Sequence, residues 1–528
     1  MTLLNAWKEK WPDIRVSKPA NTGDKGVLDS GAFRSIEVDK LFDTVNHAQT
    51  TIGQAVLYRS LVQPLDDLQS IADKQEAVKE VRNNVELKAS LERLVSNAKQ
   101  DEIYFHKLLF GKFLGSTGTA RDDSEIEGYG YVQYRRGTRF MRDFVDGVHR
   151  LDAPKSSYLN GVLQSVKDFS DTRAYSLMSE PAYITEKGIQ SKLDRNKLSP
   201  AIIFKPQLFK PLLFIMLFAV LLAGKFFLPT DVVNISRGGV AGAAIFLIPM
   251  MLIYFPVIGG FDRDSCIKPL REEYRASEDV GLTLDALGRV DELLSLVKYA
   301  DSCAEALIMP ELIAAEHHKI SLQNAKNPIL SKADATYVGN DFSIDQEKLV
   351  LITGPNSGGK TAFCKTVTQI QLLAQIGSYV PAASAILTVA DKIFYQAPEI
   401  SQLEDGEGRF GTELKRTKDI FLSSTAKSLV VLDELSEGTT FEEKMETSAN
   451  VLDGFYQKGN NTLLITHNHQ LVDHFVDQGI GIALQVEFVE EDPTHKLIPG
   501  ISRVSHAHRV AKKIGFSKED IARHLADG

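Results

Sequence analysis

The sequence predicts an α/β C-terminal domain on a parallel sheet, preceded by a mostly α-helical region with two apolar runs inserted. Three observations predict this. From about residue 320 onward, short β-like runs alternate with helical patterns. Across the first 200 residues, apolar residues recur at spacings of three and four. Between these regions lie PLLFIMLFAVLLAGKFFLP (211–229) and GVAGAAIFLIPMMLIYFPVIGG (239–260).

Bulk properties bound the reading. A chain of 528 residues exceeds one compact core, so about two to four domains are expected. Its 43% hydrophobic and 24% charged residues are ordinary for a folded protein. A net charge of −9 argues against a generally basic nucleic-acid binder, although it leaves room for a local patch. Cys266, Cys303 and Cys364 form no CxxC pair, which speaks against a disulfide framework or zinc site and for a reducing compartment. The opening MTLLNAWKEKWPDIRV carries charges where a signal peptide needs an apolar run, so a cytoplasmic start is expected.

Residues 1–34 read as an N-terminal extension and 35–205 as the first part of the helical region. Leu41, Val45, Ile52, Val56 and Leu61 follow the helical period. The stretch LDDLQSIADKQEAVKEVRNNVELKASLERLVSNA lacks Gly and Pro, which suits long helices. After a glycine-rich break comes GYGYVQYRRGTRFMRDF (128–144), which sets Arg135, Arg136, Arg139 and Arg142 among aromatics. That mixture suits stacking and phosphate pairing with nucleic acid. The bland alternative is a turn and an amphipathic helix with an arginine-rich outer face.

The apolar pair fills residues 206–265. The core of the first run, Leu212 to Leu228, covers about 26 Å as a helix, slightly short of a ~30 Å hydrocarbon layer. The second has no charge and holds Pro249 and Pro256, which membrane helices tolerate. Lys205, Lys210, Arg263, Lys268 and Arg271 flank the outer ends. By the positive-inside rule both ends face the cytoplasm, and a transmembrane helical hairpin is expected. The alternative is a helical hairpin buried in a large core. A helical pattern then resumes (266–319).

The chemistry is concentrated in residues 320–528. Gly354-Pro355-Asn356-Ser357-Gly358-Gly359-Lys360-Thr361 follows the strand-like KLVLIT and precedes a helical pattern. This is the context of a phosphate loop. The glycines let backbone N–H groups close around phosphate oxygens, and the helix start adds partial positive charge. Lys360 is placed to neutralise the β/γ-phosphates, and the Thr361 hydroxyl to ligate Mg²⁺. A second apolar strand, 429–432, ends in Asp433-Glu434. Asp433 suits a Mg²⁺-holding carboxylate, and Glu434 suits orienting or deprotonating the attacking water. The run 463–465 ends in Thr466-His467, with His467 placed to sense the γ-phosphate. An ATPase using ATP and Mg²⁺ is expected.

TGPNSGGKT, LLAQIGSYVPA (372–382), VVLDELSEGTT (430–440) and ITHNHQL (465–471) together resemble the ATPase domain of the MutS mismatch-repair family. The resemblance covers roughly 320–525, and a weaker one to the family's helical lever covers about 35–115 and 275–305. No LSGGQ-type signature of ABC transporters is present. The resemblance implies an ABC/MutS-like P-loop NTPase domain behind a helical lever. It implies that Gly354 to Thr361 bind nucleotide, with Asp433 and Glu434 as magnesium and catalytic carboxylates, His467 as switch histidine, and Tyr337 stacking on adenine. It also implies a homodimer in which a signature serine on a helix N-terminus completes the partner's site. Here Gly408 stands at the serine position, beside Arg409 and Phe410. Arg409 offers a guanidinium in its place.

About 35 residues precede the lever, too few for a mismatch-reading domain, and the apolar pair stands where a DNA clamp is inserted in the family. Two readings follow. In the first, a dimeric MutS-like ATPase is anchored in the inner or plasma membrane with its ATPase domain in the cytoplasm, and any DNA contact ignores mismatches. In the second, the chain is a soluble DNA-binding mismatch-repair ATPase whose apolar runs are core or interface.

Overall fold

The computed structural model describes residues 2–526 apart from 11–12, 116–127, 196–199, 208, 211–214, 217–218, 220–253, 255, 335, 356–357, 399–407, 436–440, 490–491 and 504–513. The chain divides into two units. The first comprises residues 1–16, 48–56 and 84–292, and the second 17–47, 57–83 and 293–528.

The first unit is mostly helical. The glycine-free stretch forms two helices, Leu68–Asn83 of the second unit and Val85–Phe110 of the first. The break falls at Asn84, whose side chain accepts a bond from Leu87 N at 3.1 Å, the preference of Asn for an N-cap over a helix interior. Val85–Phe110 packs on Tyr131–His149 through stacked Phe105 and Phe140. The approach is close at Gly137, where a Cβ would stand 2.8 Å from Tyr104 O. Two small sheets complete the unit. In one, β1 (Lys112–Gly115) pairs parallel with β2 (Gly128–Gly130); in the other, β3 (Ala182–Thr185) lies between β4 (Gly188–Gln190) and β5 (Ile202–Phe204).

A polar feature of this unit sits at the N-terminus of the helix Thr51–Val62. Asp291, fully buried, accepts from Gln49 N, Thr50 N and the Thr50 hydroxyl at 2.7–3.1 Å. Glu102, also buried, accepts from Thr51 N and Ile52 N at 3.0 and 2.7 Å. Four otherwise orphan N–H groups are thereby satisfied from within the protein.

The expected transmembrane spans, 211–229 and 239–260, fall mostly outside the described residues. Among the described residues no helix is long and apolar enough to cross a membrane. Four of the five flanking cations on which the topology rested are engaged by protein groups. Lys210 Nζ lies 2.6 Å from the buried carboxylate of Asp262, which also accepts from Tyr131 Oη at 2.8 Å. Arg263 and Lys268 both pair with Asp264, and Arg271 donates to Gly111 O at 2.9 Å. A cation paired with its own chain is a weak mark of a lipid interface.

The second unit carries two sheets. The four-stranded one runs β6 (Glu311–Ile313), β10 (Ser384–Thr388), β7 (Ile320–Ala325), β8 (Asn340–Ile344). The six-stranded one runs β11 (Ile393–Gln396), β12 (Leu429–Asp433), β13 (Asn461–Ile465), β9 (Leu349–Thr353), β14 (Ile482–Val489), β15 (Asp492–Pro499). Its first five strands are parallel and β15 returns antiparallel. Every residue of β9, β12 and β13 is buried, as their unbroken apolar runs require of strands covered on both faces. One apolar core joins Leu349, Leu351, Val430, Leu432 and Leu464 to Ile420, Leu452, Phe455 and Phe475 of three helices. Each such side chain contributes about 1.5–3 kcal/mol by leaving water.

The helix Lys360–Gln375 follows β9. Its far half carries buried glutamines bonded to backbone carbonyls: Gln369 to Ile36 O, Gln371 to Thr388 O, and Gln375 to Leu65 O and Ala390 O, all at 2.7–3.0 Å.

Candidate functional site

The chain leaves β9, travels to the far edge at β11, returns through β12 and β13, and then crosses to β14 on the other side of β9. The C-terminal end of β9 is therefore a topological switch point, where open α/β sheets bind ligands. The glycine-rich loop stands there. Gly354 has φ 133° and Gly359 φ 93°, left-handed values that favour glycine. A Cβ on Gly354 or Gly358 would come within 2.9 or 2.8 Å of Val486 Cγ2. Gly358 N donates to Pro355 O at 3.0 Å. Asn356 and Ser357 lie outside the described residues.

Lys360 opens the helix, which has Gly359 at its N-cap and no side-chain cap. Only 2% of Lys360 is exposed, and its ammonium donates to Gly354 O and Pro355 O at 2.6 and 2.9 Å. Burial pulls its pKa below the ordinary value, while Glu434 and Asp433 push the other way. A buried ammonium whose hydrogen bonds among the described residues go to neutral carbonyls keeps charge available to an incoming anion.

The Thr361 hydroxyl donates to Asp433 Oδ2 at 3.1 Å. Asp433 ends β12 and is 8% exposed. Two hard oxygen donors from a helix start and a strand end suit Mg²⁺, which takes its remaining ligands from phosphate and water. The residues present fit that ion. Glu434 adopts φ 60°, and its N–H bonds to Ile465 O at 3.0 Å. A left-handed glutamate costs on the order of 1 kcal/mol, a kind of strain found at functional positions. His467 Nε2 lies 3.3 Å from Glu434 Oε1, with the histidine largely exposed.

The structure thus brings together Gly354, Pro355, Gly358, Gly359, Lys360, Thr361, Asp433, Glu434 and His467. Tyr337 is half-buried, its hydroxyl bonded to Thr366 in the second turn of the same helix. Gly408, Arg409 and Phe410 form the first turn of the helix Gly408–Ser423, with Phe410 partly buried. Two neighbours of the loop escaped the sequence reading. Val486 of β14 seals the glycines, and His495 of β15 has its Nδ1 3.4 Å from a Cβ position on Gly359. The turn-rich EEDP between two β-prone runs was the signal for that hairpin.

The sheet order, the loop at its switch point and the Thr361–Asp433 pair define a P-loop ATPase-like α/β domain. Residues 350–526 match the family model for MutS domain V. It is 26% identical over 525 residues to the "DNA mismatch repair protein MutS" of Thermotoga maritima, an alignment covering 95% of this chain and 65% of that protein. It is 31% identical over 261 residues to the protein of that name from Parabacteroides distasonis, covering 46% and 29%. With the Pelotomaculum thermopropionicum protein the values are 25% over 547 residues, 94% and 61%. The chain spans 29–65% of the length of these relatives.

These findings overturn the expected localisation in an inner or plasma membrane. The alignment with a protein named for DNA mismatch repair runs through nearly the whole chain, and no described helix can cross a bilayer.

Proposed function

We propose that this chain is a MutS-type ATPase acting on DNA in repair, and that it works as a homodimer. The observation that supports it best is the 3.1 Å bond between Thr361 Oγ1 and Asp433 Oδ2, which sets two magnesium-type oxygens beside Lys360 and Glu434. In this reading Gly354 to Thr361 wrap the phosphates of ATP. Lys360 exchanges its loop carbonyls for phosphate oxygens, and Tyr337 packs on the base. Bound Mg²⁺ would neutralise charge developing on the phosphates. Glu434 orients and deprotonates the attacking water, and His467, bonded to it, reports whether the γ-phosphate is present. The first turn at Gly408, Arg409 and Phe410 faces the partner's nucleotide in the dimer.

The test is steady-state hydrolysis with and without DNA. Glu434→Gln should retain ATP binding and slow turnover by at least about 100-fold, and DNA should change the wild-type rate. Normal turnover by Glu434→Gln removes the catalytic assignment, and a wild-type rate indifferent to DNA removes the repair reading.

A further inference from the structure

The four arginines of the helix Tyr131–His149 do not share one fate. Arg136 stacks 3.9 Å over the Tyr104 ring, and its Nε lies 2.8 Å from Asp101 Oδ1; it fastens two helices. Arg135, Arg139 and Arg142 occupy another face, at the i, i+4, i+7 spacing that aligns side chains along a helix. All three line one cavity of about 320 Å³, together with Thr138, Ser179 and Lys205. Arg135, Arg139 and Lys205 are exposed at its rim, and Arg142 lies deeper. The Nε of Arg142 is buried and meets no hydrogen-bond partner among the described residues. The acid in the lining, Glu180, is already bonded to Lys192 at 3.0 Å.

We infer that this cavity in the helical unit is a phosphate-binding site for the backbone of DNA. Four cations against one engaged carboxylate leave an uncompensated positive concavity, while the chain as a whole carries −9. Guanidinium groups match phosphate oxygens in paired bonds, and an unpartnered buried N–H is destabilising until an acceptor arrives. A row of three arginines about 10 Å long on one helix face spans more than one phosphate of a strand. Phosphate contacts carry no sequence information, so a site that holds the backbone grips without reading sequence. The inference rests on the DNA reading proposed above.

The experiment is a salt titration of duplex DNA binding by the full chain. Arg135→Ala/Arg139→Ala changes two exposed side chains, so folding should survive, as checked by an unchanged melting temperature and unchanged DNA-free ATPase rate. Each lost phosphate contact should lower the slope of log K against log salt by about 0.9, for a total drop of about 2. Affinity should fall by about tenfold or more, equally for matched and mismatched duplexes. Arg135→Lys/Arg139→Lys should restore most of the slope. Arg150→Ala, at the end of the same helix but outside the cavity, should leave it unchanged. A double alanine variant with wild-type slope and affinity overturns this site while leaving the DNA reading standing. A wild-type chain that binds no DNA at low salt overturns both.

Discussion

Two helix starts in this protein meet the same electrostatic problem with opposite solutions. At Thr51 the orphan N–H groups receive Asp291 and Glu102, both buried carboxylates from the protein itself. At Lys360 the helix opens behind a left-handed glycine with no side-chain cap, and the nearest cation leans on carbonyl oxygens. Both ends carry the partial positive charge of the helix dipole. What separates a structural joint from an anion site is whether the chain supplies its own anion. At Thr51 two acids compete for one small volume; at Lys360 the acids, Asp433 and Glu434, lie across the site, where an ion can bridge them to phosphate.

The comparison breaks first at Lys360. Lys360→Ala should lower ATP affinity by about 100-fold or more in nucleotide titration, with little change in melting temperature. Retention of tight binding would mean that the glycine loop alone holds the phosphates. Next, Asp291→Ala should behave in reverse. It strips Gln49 N, Thr50 N and the Thr50 hydroxyl of their acceptor and should cost on the order of 3 kcal/mol of stability. ATP affinity should be untouched, and chemical denaturation beside a nucleotide titration separates the two effects.

The smallest effect concerns pH. Burial pushes the Glu102 carboxyl up to about 7, against the lowering by its two N–H donors, and Asp291 adds to the rise. The folded protein therefore holds this proton where the unfolded chain, near the ordinary 4.5, has lost it. That contribution to stability is complete below about 4.5 and is lost as pH rises through 7. Its full size is about 3 kcal/mol at most. In Glu102→Gln the proton no longer matters, so the stability gap between variant and wild type should shift in the variant's favour from pH 5 to pH 8. A gap that stays constant across that range would show that Glu102 is ionised throughout.

The helix start at Lys360 was legible in the sequence because its parts are local. Glycines, lysine and threonine lie within eight positions, and strands β9, β12 and β13 announce themselves as unbroken apolar runs ending in Thr353, Asp433 and Ile465. The structural one was illegible. Thr50 and Asp291 stand 241 positions apart, and nothing in either neighbourhood names the other. The same holds for Lys210, whose partner Asp262 is 52 residues away; without that partner, Lys210 reads as a cytoplasmic flank of a membrane span. Arg136 was grouped with Arg135, Arg139 and Arg142 because composition does not show which helix face a neighbour covers. Val486 and His495 were missed because β14 and β15 are only partly buried, which blurs the alternation that marks a strand.

The buried glutamines of the helix Lys360–Gln375 have a mechanical consequence. A helix of 16 residues is a stiff rod about 24 Å long, and its far end is bolted at Ile36, Leu65, Thr388 and Ala390. The rod therefore joins the Lys360 tip through a single rigid element to the segments around residues 36 and 65, more than 290 positions upstream in the chain.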